Sequence, residues 1–409
     1  MGGVKALWLE DQERGWNSFR DKFVCTECFE DYAIQDVIRN NAEEHRCSYC
    51  GRFAEGEPIA ADMNLVMEEI HFGICNEWGD PNSEGMSWES REGGWQGTVV
   101  DSYDLLTDIL ELGIANQTLF DDLHASIAER QWCQRNFYDL LPQKELVVDW
   151  QHFSNIVKHQ TRFTLLTRDS ASLNDERLPR DILDRLGQFF RDFGMLADLA
   201  AGTVLFRARR HEKSEVFNTM SELGPPPRHR TISSNRMSPA GIPMFYGAFD
   251  PQTAIAEVCS DHNDRRSMVT TGEFVLLKPL RVLDLSSPPE VPSLFDRQRA
   301  KDRAGSIFLR SFLMDFTKPV EKDGREHIDY VPTQVVTEYV RRIFRDNSHA
   351  EVNGAIYPSA IANGRCCVLF IDEVATGDWA HLNASSADKW LKLDASRVKT
   401  REASIQGLT

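Results

Sequence analysis

Apolar positions recur at spacings of three and four over residues 102–135, where Leu105, Leu106, Ile109, Leu110, Leu119, Phe120, Leu123 and Ile127 predict helix interrupted at Gly113. The same period over residues 175–201, carried by Ile182, Leu183, Leu186, Phe189, Phe190, Phe193, Leu196 and Leu199, predicts one long helix ended by Gly202. After Gly202 the pattern shortens. Strands are expected at 203–208, 244–247, 354–358 and 366–371, with a strand pair over 272–285 broken at Lys278-Pro279. A helix is expected to start over 253–259, and helices to run over 294–315 and 332–345. Residues 72–98 lack a period and read as an ordered loop or short hairpin, residues 148–167 fit neither template, and the polar tail from Asn383 reads as loosely attached.

Short strands and helices that do not alternate regularly argue for an α+β architecture over a doubly wound sheet. A chain of 409 residues exceeds one ordinary core. The expected division is residues 1–75, a mainly helical domain over 76–201, a mixed-sheet domain with flanking helices over 202–380, and a tail over 381–409. No internal repeat or low-complexity tract interrupts it.

Composition narrows the class. Hydrophobic residues at 41% and charged residues at 27% fit a globular protein. No apolar run reaches bilayer length, and the first residues lack a signal-peptide core, so a cytoplasmic location and no membrane partner are expected. The net charge of −17 repels nucleic-acid phosphates and argues against that partner class.

Nine cysteines are an odd number for a disulfide framework. Cys25-Thr-Glu-Cys28 and Cys47-Ser-Tyr-Cys50 form two CxxC knuckles eighteen residues apart, the spacing of a tetrathiolate zinc site. Four protein ligands leave no open position, so the expected zinc is structural. Residues 1–75 therefore read as a zinc-knuckle segment. Cys75, Cys133, Cys259, Cys366 and Cys367 read as small buried hydrophobes. Arg39 and His45 have an arginine-x5-histidine spacing that resembles the HEPN ribonuclease motif, but they lie between the knuckles instead of on one helix, and chance is the better explanation.

Three stretches of the C-terminal half carry chemistry: Leu205-Phe-Arg207-Ala-Arg209; Asn235-Arg236 through Gly241-Ile-Pro and Tyr246-Gly-Ala to Thr253-Ala-Ile-Ala-Glu257; and Gly354-Ala-Ile-Tyr357-Pro-Ser359. In order and spacing they resemble the RES domain, a family named for an arginine, a glutamate and a serine. The cysteine knuckles, with Glu92-Gly-Gly-Trp95, resemble the HEPN/RES N-terminal segment. The resemblance implies an ADP-ribosyltransferase-like fold, NAD as substrate, and an NAD site lined by Arg207, Arg236, Tyr246, Glu257 and Ser359. Many members have Gly-Arg-Trp-Asn where this chain has Asn235-Arg236-Met237-Ser238, so the arginine matches and the asparagine does not.

The residue types suit that chemistry. Breaking the nicotinamide–ribose bond passes through an oxocarbenium-like state, and nicotinamide leaves neutral, so a carboxylate matters more than a general acid. Glu257, on an otherwise apolar helix start, is the candidate for it. Arg207 and Arg236 would clamp the pyrophosphate, Tyr246 would stack on nicotinamide or bond the ribose, and Ser359 would orient the glutamate. No His or Lys is placed by sequence to make Ser359 a nucleophile. His211 and His229 read as solvated loop residues.

Three functional readings compete. The leading one is NAD hydrolysis with a toxin or defence role, against ADP-ribose transfer to a macromolecule. The others are an inactive zinc-stabilised binding module and a ribonuclease using Arg39 and His45. An antitoxin or regulatory partner fits the first, and a homo-oligomer stays open.

Overall fold

The computed structural model describes the chain except for residues 1–10, 12–13, 92, 111, 128–129, 136–141, 166–177, 261–263, 321–323, 372–375, 379–388 and 404–409. Glu92, the first residues of the expected 175–201 helix and the start of the expected tail at Asn383 lie outside the described residues. The chain divides into two compact units. One joins residues 1–145 to 290–307, and the other joins 146–289 to 308–409.

The first unit opens with β1 (Phe23–Cys25) paired antiparallel to β2 (Ala60–Asp62). Helix α1 (Tyr32–Asn40) starts where the Asp31 carboxylate accepts the Ala33 and Ile34 amides, and Ile34 and Ile38, one turn apart, are wholly buried. Helix α2 (Met63–Glu77) buries Val66, Met67, Ile70 and Ile74. On it Gly73 leaves room for the Phe295 ring, which a Cβ would meet at 2.4 Å. This is why residues 290–307, from the second half of the sequence, belong to this core. Residues 72–98, expected as an ordered loop or short hairpin, hold the end of α2, then β3 (Trp78–Gly79) and a hairpin of β4 (Trp88–Glu89) and β5 (Gly94–Trp95). The hairpin is clasped by Trp88 edge-on to Trp95 at 5.1 Å. The helical stretch expected over 102–135 splits. Strand β6 (Val100–Asp101) leads into a short helical run ending near Leu110, Gly113 turns the chain with φ 56°, and α3 (Gln117–Ser126) follows. The end is not helix but β7 (Gln131–Gln134), central in a β3–β7–β6 sheet, with the buried Trp132 indole donating to Ser102.

The second unit is built on a nine-stranded mixed sheet. In chain order its elements are α4 (Pro142–His159, from residue 146 on), α5 (Pro179–Asp192), β8 (Leu196–Leu199), β9 (Val204–His211), β10 (Phe245–Ala248), α6 (Pro251–Cys259), β11 (Met268–Leu276), β12 (Leu280–Asp284), α7 (Ala300–Thr317, from residue 308 on), α8 (Val331–Arg342), β13 (Gly354–Pro358), β14 (Arg365–Leu369), β15 (Thr376–Asp378) and β16 (Leu391–Glu402). The spatial order is β15-β16-β11-β9-β10-β14-β13-β12-β8, parallel only at β12–β13 and β15–β16. This is the expected α+β class.

Alternation along β14 sorts the two faces. Cys366 and Val368 pack with the helices, while Cys367 and Leu369 join Phe245, Phe274 and Leu393 on the other side. The helical face is rich in aromatics: Trp150, Phe190, Phe308, Phe312, Phe316 and Phe344 form one cluster.

Two expectations change here. The long helix over 175–201 stops at Asp192, because Gly194, at φ 62°, ends it and the Met195 amide returns to the Phe190 carbonyl. Leu196–Leu199 is a strand paired with β12. Its apolar face, Ile182, Leu183, Leu186 and Phe190, is part of the aromatic core, so α5 belongs with the sheet and not before a boundary at Gly202. The tail is the second correction. Residues 391–402 pair along the length of β11, with Leu391 and Leu393 fully buried. A two-residue apolar alternation inside a polar run was too short a signal to predict this strand.

Candidate active site

In the first unit the knuckles converge. Cys25 sits at the end of β1, Cys28 closes the single turn Thr26–Cys28, and Cys47 and Cys50 come from the turn that Gly51 follows at φ 72°. The four Sγ atoms lie within 4.8 Å of one another. The Cys25–Cys50 distance is 3.5 Å, Cys28–Cys47 3.6 Å and Cys25–Cys28 3.9 Å. A tetrahedron with Zn–S bonds of about 2.3 Å has edges of about 3.8 Å. Burial pushes the Cys25 thiol up to about 12, and the contact with Cys47, then burial, pushes Cys28 up as well. Such a cluster becomes four thiolates only around a cation. The residues fit a structural metal ion.

Arg39 and His45 do not form a site. Arg39, on α1, is engaged by Asp36, and His45 is exposed in the loop after the helix.

In the second unit a cavity of about 230 Å³ is lined by Arg207, Asn235, Tyr246, Glu257, Tyr357 and Cys366, among others. Its origin is a parting of strands. β9 and β10 pair only at Phe206–Ala248, and next to that pair the Arg207 Nη1 donates to the Tyr246 carbonyl at 2.8 Å. The guanidinium also lies over the Phe245 ring at 5.2 Å. Its Nε is buried without a hydrogen-bond partner. Burial, and then neighbouring Arg209, hold Arg207 well below its usual pKa, so an anion in the cavity would relieve it.

Glu257 reaches the cavity from the last turns of α6. That helix is fixed by Asp250, whose carboxylate accepts the Thr253 amide and hydroxyl, each at 2.7 Å, with Pro251 in its first turn. Glu257 Oε1 accepts the Ser359 hydroxyl at 2.5 Å and faces the Cys366 thiol at 3.7 Å. Ser359 begins the turn between β13 and β14. Its amide donates to the Gly364 carbonyl, and its oxygen accepts the Ile361 and Ala362 amides at 3.1 and 3.0 Å. With its lone pairs taken and its proton committed to Glu257, Ser359 is an orienting group and is poorly suited to nucleophilic attack. Glu257 Oε2 carries no hydrogen bond among the described residues.

Family models match in two places: the HEPN/RES N-terminal domain 1 over residues 40–171 and the RES domain over residues 204–387. The chain belongs to the RES domain family. No curated protein matches it. Among solved structures, the M. tuberculosis MbcT–MbcA toxin–antitoxin complex matches at 13% identity over 53% of this chain and 91% of that one, with a TM-score of 0.28.

Within the RES domain, the structure brings together Arg207, Tyr246, Glu257 and Ser359. It does not bring Arg236 with them. The Arg236 guanidinium donates to the carbonyls of Phe316 and Lys318 at 2.6 and 2.7 Å and stands over Tyr330. It lines a separate cleft with Trp150 and Lys158. An arginine whose N–H groups cap the end of α7 is spent on structure.

Tyr357 and Cys366, which line the RES cavity, and Ser238 beside it escaped sequence reasoning as site residues. Ser238 stands where many members have asparagine, and its hydroxyl meets the Tyr246 hydroxyl at 2.9 Å. The departure from the family motif was itself the available signal. Tyr357 pairs with Cys366 across β13 and β14, and strand alternation from Ala355 would have turned it to the same face. Burial raises both tyrosines, Tyr246 to about 12 and Tyr357 well above its usual value, and raises the Cys366 thiol, so all three stay protonated at neutral pH. His211 is a correction. It is buried at the end of β9, bonded to Thr270 and stacked on Phe217, while His229 is exposed as expected.

Proposed function

We propose that this RES domain hydrolyses NAD at the nicotinamide–ribose bond. The observation that carries the reading is Glu257, a carboxylate with one oxygen held by Ser359 and the other open, in a cavity otherwise lined by neutral or cationic groups. A cavity of about 230 Å³ is below the roughly 300–1,000 Å³ of sites that enclose a whole ligand, which suits the nicotinamide riboside end alone. The ribose C1–nitrogen bond breaks, nitrogen takes the electron pair, and nicotinamide leaves neutral. Positive charge grows on the ribose, where the fixed carboxylate of Glu257 stabilises it. Water then bonds to C1 and releases its proton to solvent. Tyr246 and Tyr357, both protonated, offer a ring face to nicotinamide or a hydroxyl to the ribose, and Arg207 supplies a desolvated cation for a phosphate or hydroxyl oxygen.

The small cavity favours water over a macromolecular side chain as acceptor. The sheet that parts beside Glu257 is compatible with the ADP-ribosyltransferase-like fold implied by the resemblance. An unrestrained NAD hydrolase poisons the cell that makes it, so the proposal includes a toxin or defence role with a restraining partner. For the first unit we propose a structural zinc on Cys25, Cys28, Cys47 and Cys50. No helix among the described residues is long and apolar enough to cross a membrane.

The test is nicotinamide release from NAD by purified protein without any acceptor. Release by wild type and its loss in Glu257→Gln are expected. Absence of release, or equal release by both, would remove the reading. Transfer to an added protein at the expense of free ADP-ribose would convert it to a transferase.

A further inference from the structure

Helix α6 presents two different faces. Ala254, Glu257 and Val258 line the catalytic cavity, while Gln252 and Ile255 line a second groove of about 730 Å³. The floor of this groove is the β9–β11–β16 part of the sheet, and Phe206 borders both spaces.

The groove's charge is set by β16. Arg397, Lys399 and Arg401 alternate along the strand and all line it. The ladder places Lys399 beside Thr271 and Ala208, and Arg401 beside Val269 and Arg210. Arg397 is matched by Glu273 at 2.8 Å and by Asp394, and Arg210 by Asp264. The side chains of Lys399 and Arg401 have no carboxylate and no hydrogen bond among the described residues. Two uncompensated cations beside one groove, in a chain of net charge −17, run against the overall field. Charges on a strand edge discourage strand addition, but that task needs no cleft.

The apolar end of the groove differs from the cationic end. Phe206 and Ile255 offer a surface for a flat ring, and Lys399 and Arg401 offer partners for phosphate oxygens. We propose that this groove is a nucleotide-phosphate site, with the base towards Phe206 and Ile255 and the phosphates on Lys399 and Arg401. The strand that makes it, Leu391–Glu402, lies beyond residues 204–387 matched by the RES domain. Because the groove and Glu257 share α6, an occupant touches the helix that positions the carboxylate. The phosphates come from one of two sources: the adenylate half of the dinucleotide, whose other end fills the catalytic cavity, or a separate nucleotide.

The experiment is calorimetric titration of the full chain with ADP at low salt, in wild type and in the Lys399→Glu/Arg401→Glu double variant. Both side chains are exposed, and near-UV circular dichroism checks the fold, with Lys399→Gln/Arg401→Gln as a milder pair if the reversal perturbs it. ADP should bind wild type, weaken as salt rises, and lose at least tenfold in the double variant. Glu257→Gln should bind ADP unchanged, so the result stands apart from the hydrolysis reading. If the double variant also raises the KM for NAD at unchanged kcat, the substrate's own phosphates occupy the groove. If KM is unmoved, a separate nucleotide does. Equal ADP affinity in wild type and double variant, no ADP binding at all, or binding of single-stranded oligonucleotide without ADP would overturn the proposal.

Discussion

The Ser359 hydroxyl donates to Glu257 Oε1 at 2.5 Å, joining a turn between two strands to a helix 102 residues earlier in the chain. The bond is short because its acceptor is a carboxylate. It fixes the direction in which Oε2 points. Ser359→Ala should keep the fold and lower kcat for nicotinamide release about 10- to 100-fold, the equivalent of a charge-assisted bond of about 1.5–3 kcal/mol. Glu257→Gln should cost more, on the order of 10²–10³-fold or greater, since it removes the charge itself. Steady-state nicotinamide release checks both, and a Ser359→Ala loss exceeding that of Glu257→Gln would reverse the assigned roles.

Gly364 governs the same bond from a distance. A Cβ there would stand 1.9 Å from Thr253 Oγ1 and 2.7 Å from an Asp250 carboxylate oxygen. Both atoms belong to the cap of α6, and the Gly364 carbonyl holds the Ser359 amide. Gly364→Ala must therefore displace the turn or the helix start. Activity should fall by at least tenfold, with a loss of stability of about 1–3 kcal/mol from overpacking. Activity and urea unfolding of the one variant measure both.

Much of this candidate site was legible in the sequence, because its residues sit in short motifs whose order is preserved: Arg207 at a strand, Glu257 on a helix, though near its end and not at its start, and Ser359 at a turn. Arg236 sat in an equally good motif and was misread. A motif fixes where the backbone goes, but Arg236 found the carbonyls of Phe316 and Lys318 closer than any cavity, and those lie 80 residues and more away. The fold failed to read where local and long-range signals competed. Leu196–Leu199 continued a helical period yet paired with β12, and residues 391–402 looked like tail until β11 supplied a partner. For Tyr357 and Cys366 strand alternation gave the face, but that they meet is set only by pairing across β13 and β14.

The thiol cluster carries its own prediction. Cys28 and Cys47 are buried in the same core as Val24, Phe29 and Ile34, so a metal there stabilises residues well beyond the knuckles. Purified protein should hold about one zinc per chain by elemental analysis, and Cys28→Ser should abolish it. Removal of the ion by a strong chelator should lower the melting temperature, and returning zinc should restore it. Unchanged stability after verified metal loss would sink the structural assignment.

The tyrosines of the cavity predict an alkaline response whose sign can be worked out. An unfolded tyrosine ionises near pH 10, whereas burial pushes Tyr246 up to about 12 and Tyr357 also upward. The folded state thus binds its phenolic protons more tightly than the unfolded state. That advantage is complete below pH 10 and is lost as pH rises from about 10 to about 12, because the unfolded chain ionises first. Buried thiols such as Cys366 and Cys367, also pushed up by burial, start a decline in urea midpoint near pH 9, and the tyrosines should steepen it above pH 10. Tyr246→Phe removes one of several buried phenols, Tyr49 and Tyr339 among the others, so its alkaline decline should be shallower by that one contribution. At neutral pH the variant should be weaker by about 1 kcal/mol, since the Ser238 hydroxyl loses its partner. Absorbance at 295 nm gives a second readout. In the folded protein part of the tyrosinate signal should appear only above pH 11, and in urea all of it near pH 10. Parallel urea–pH profiles for wild type and Tyr246→Phe would show that Tyr246 is not held neutral by burial.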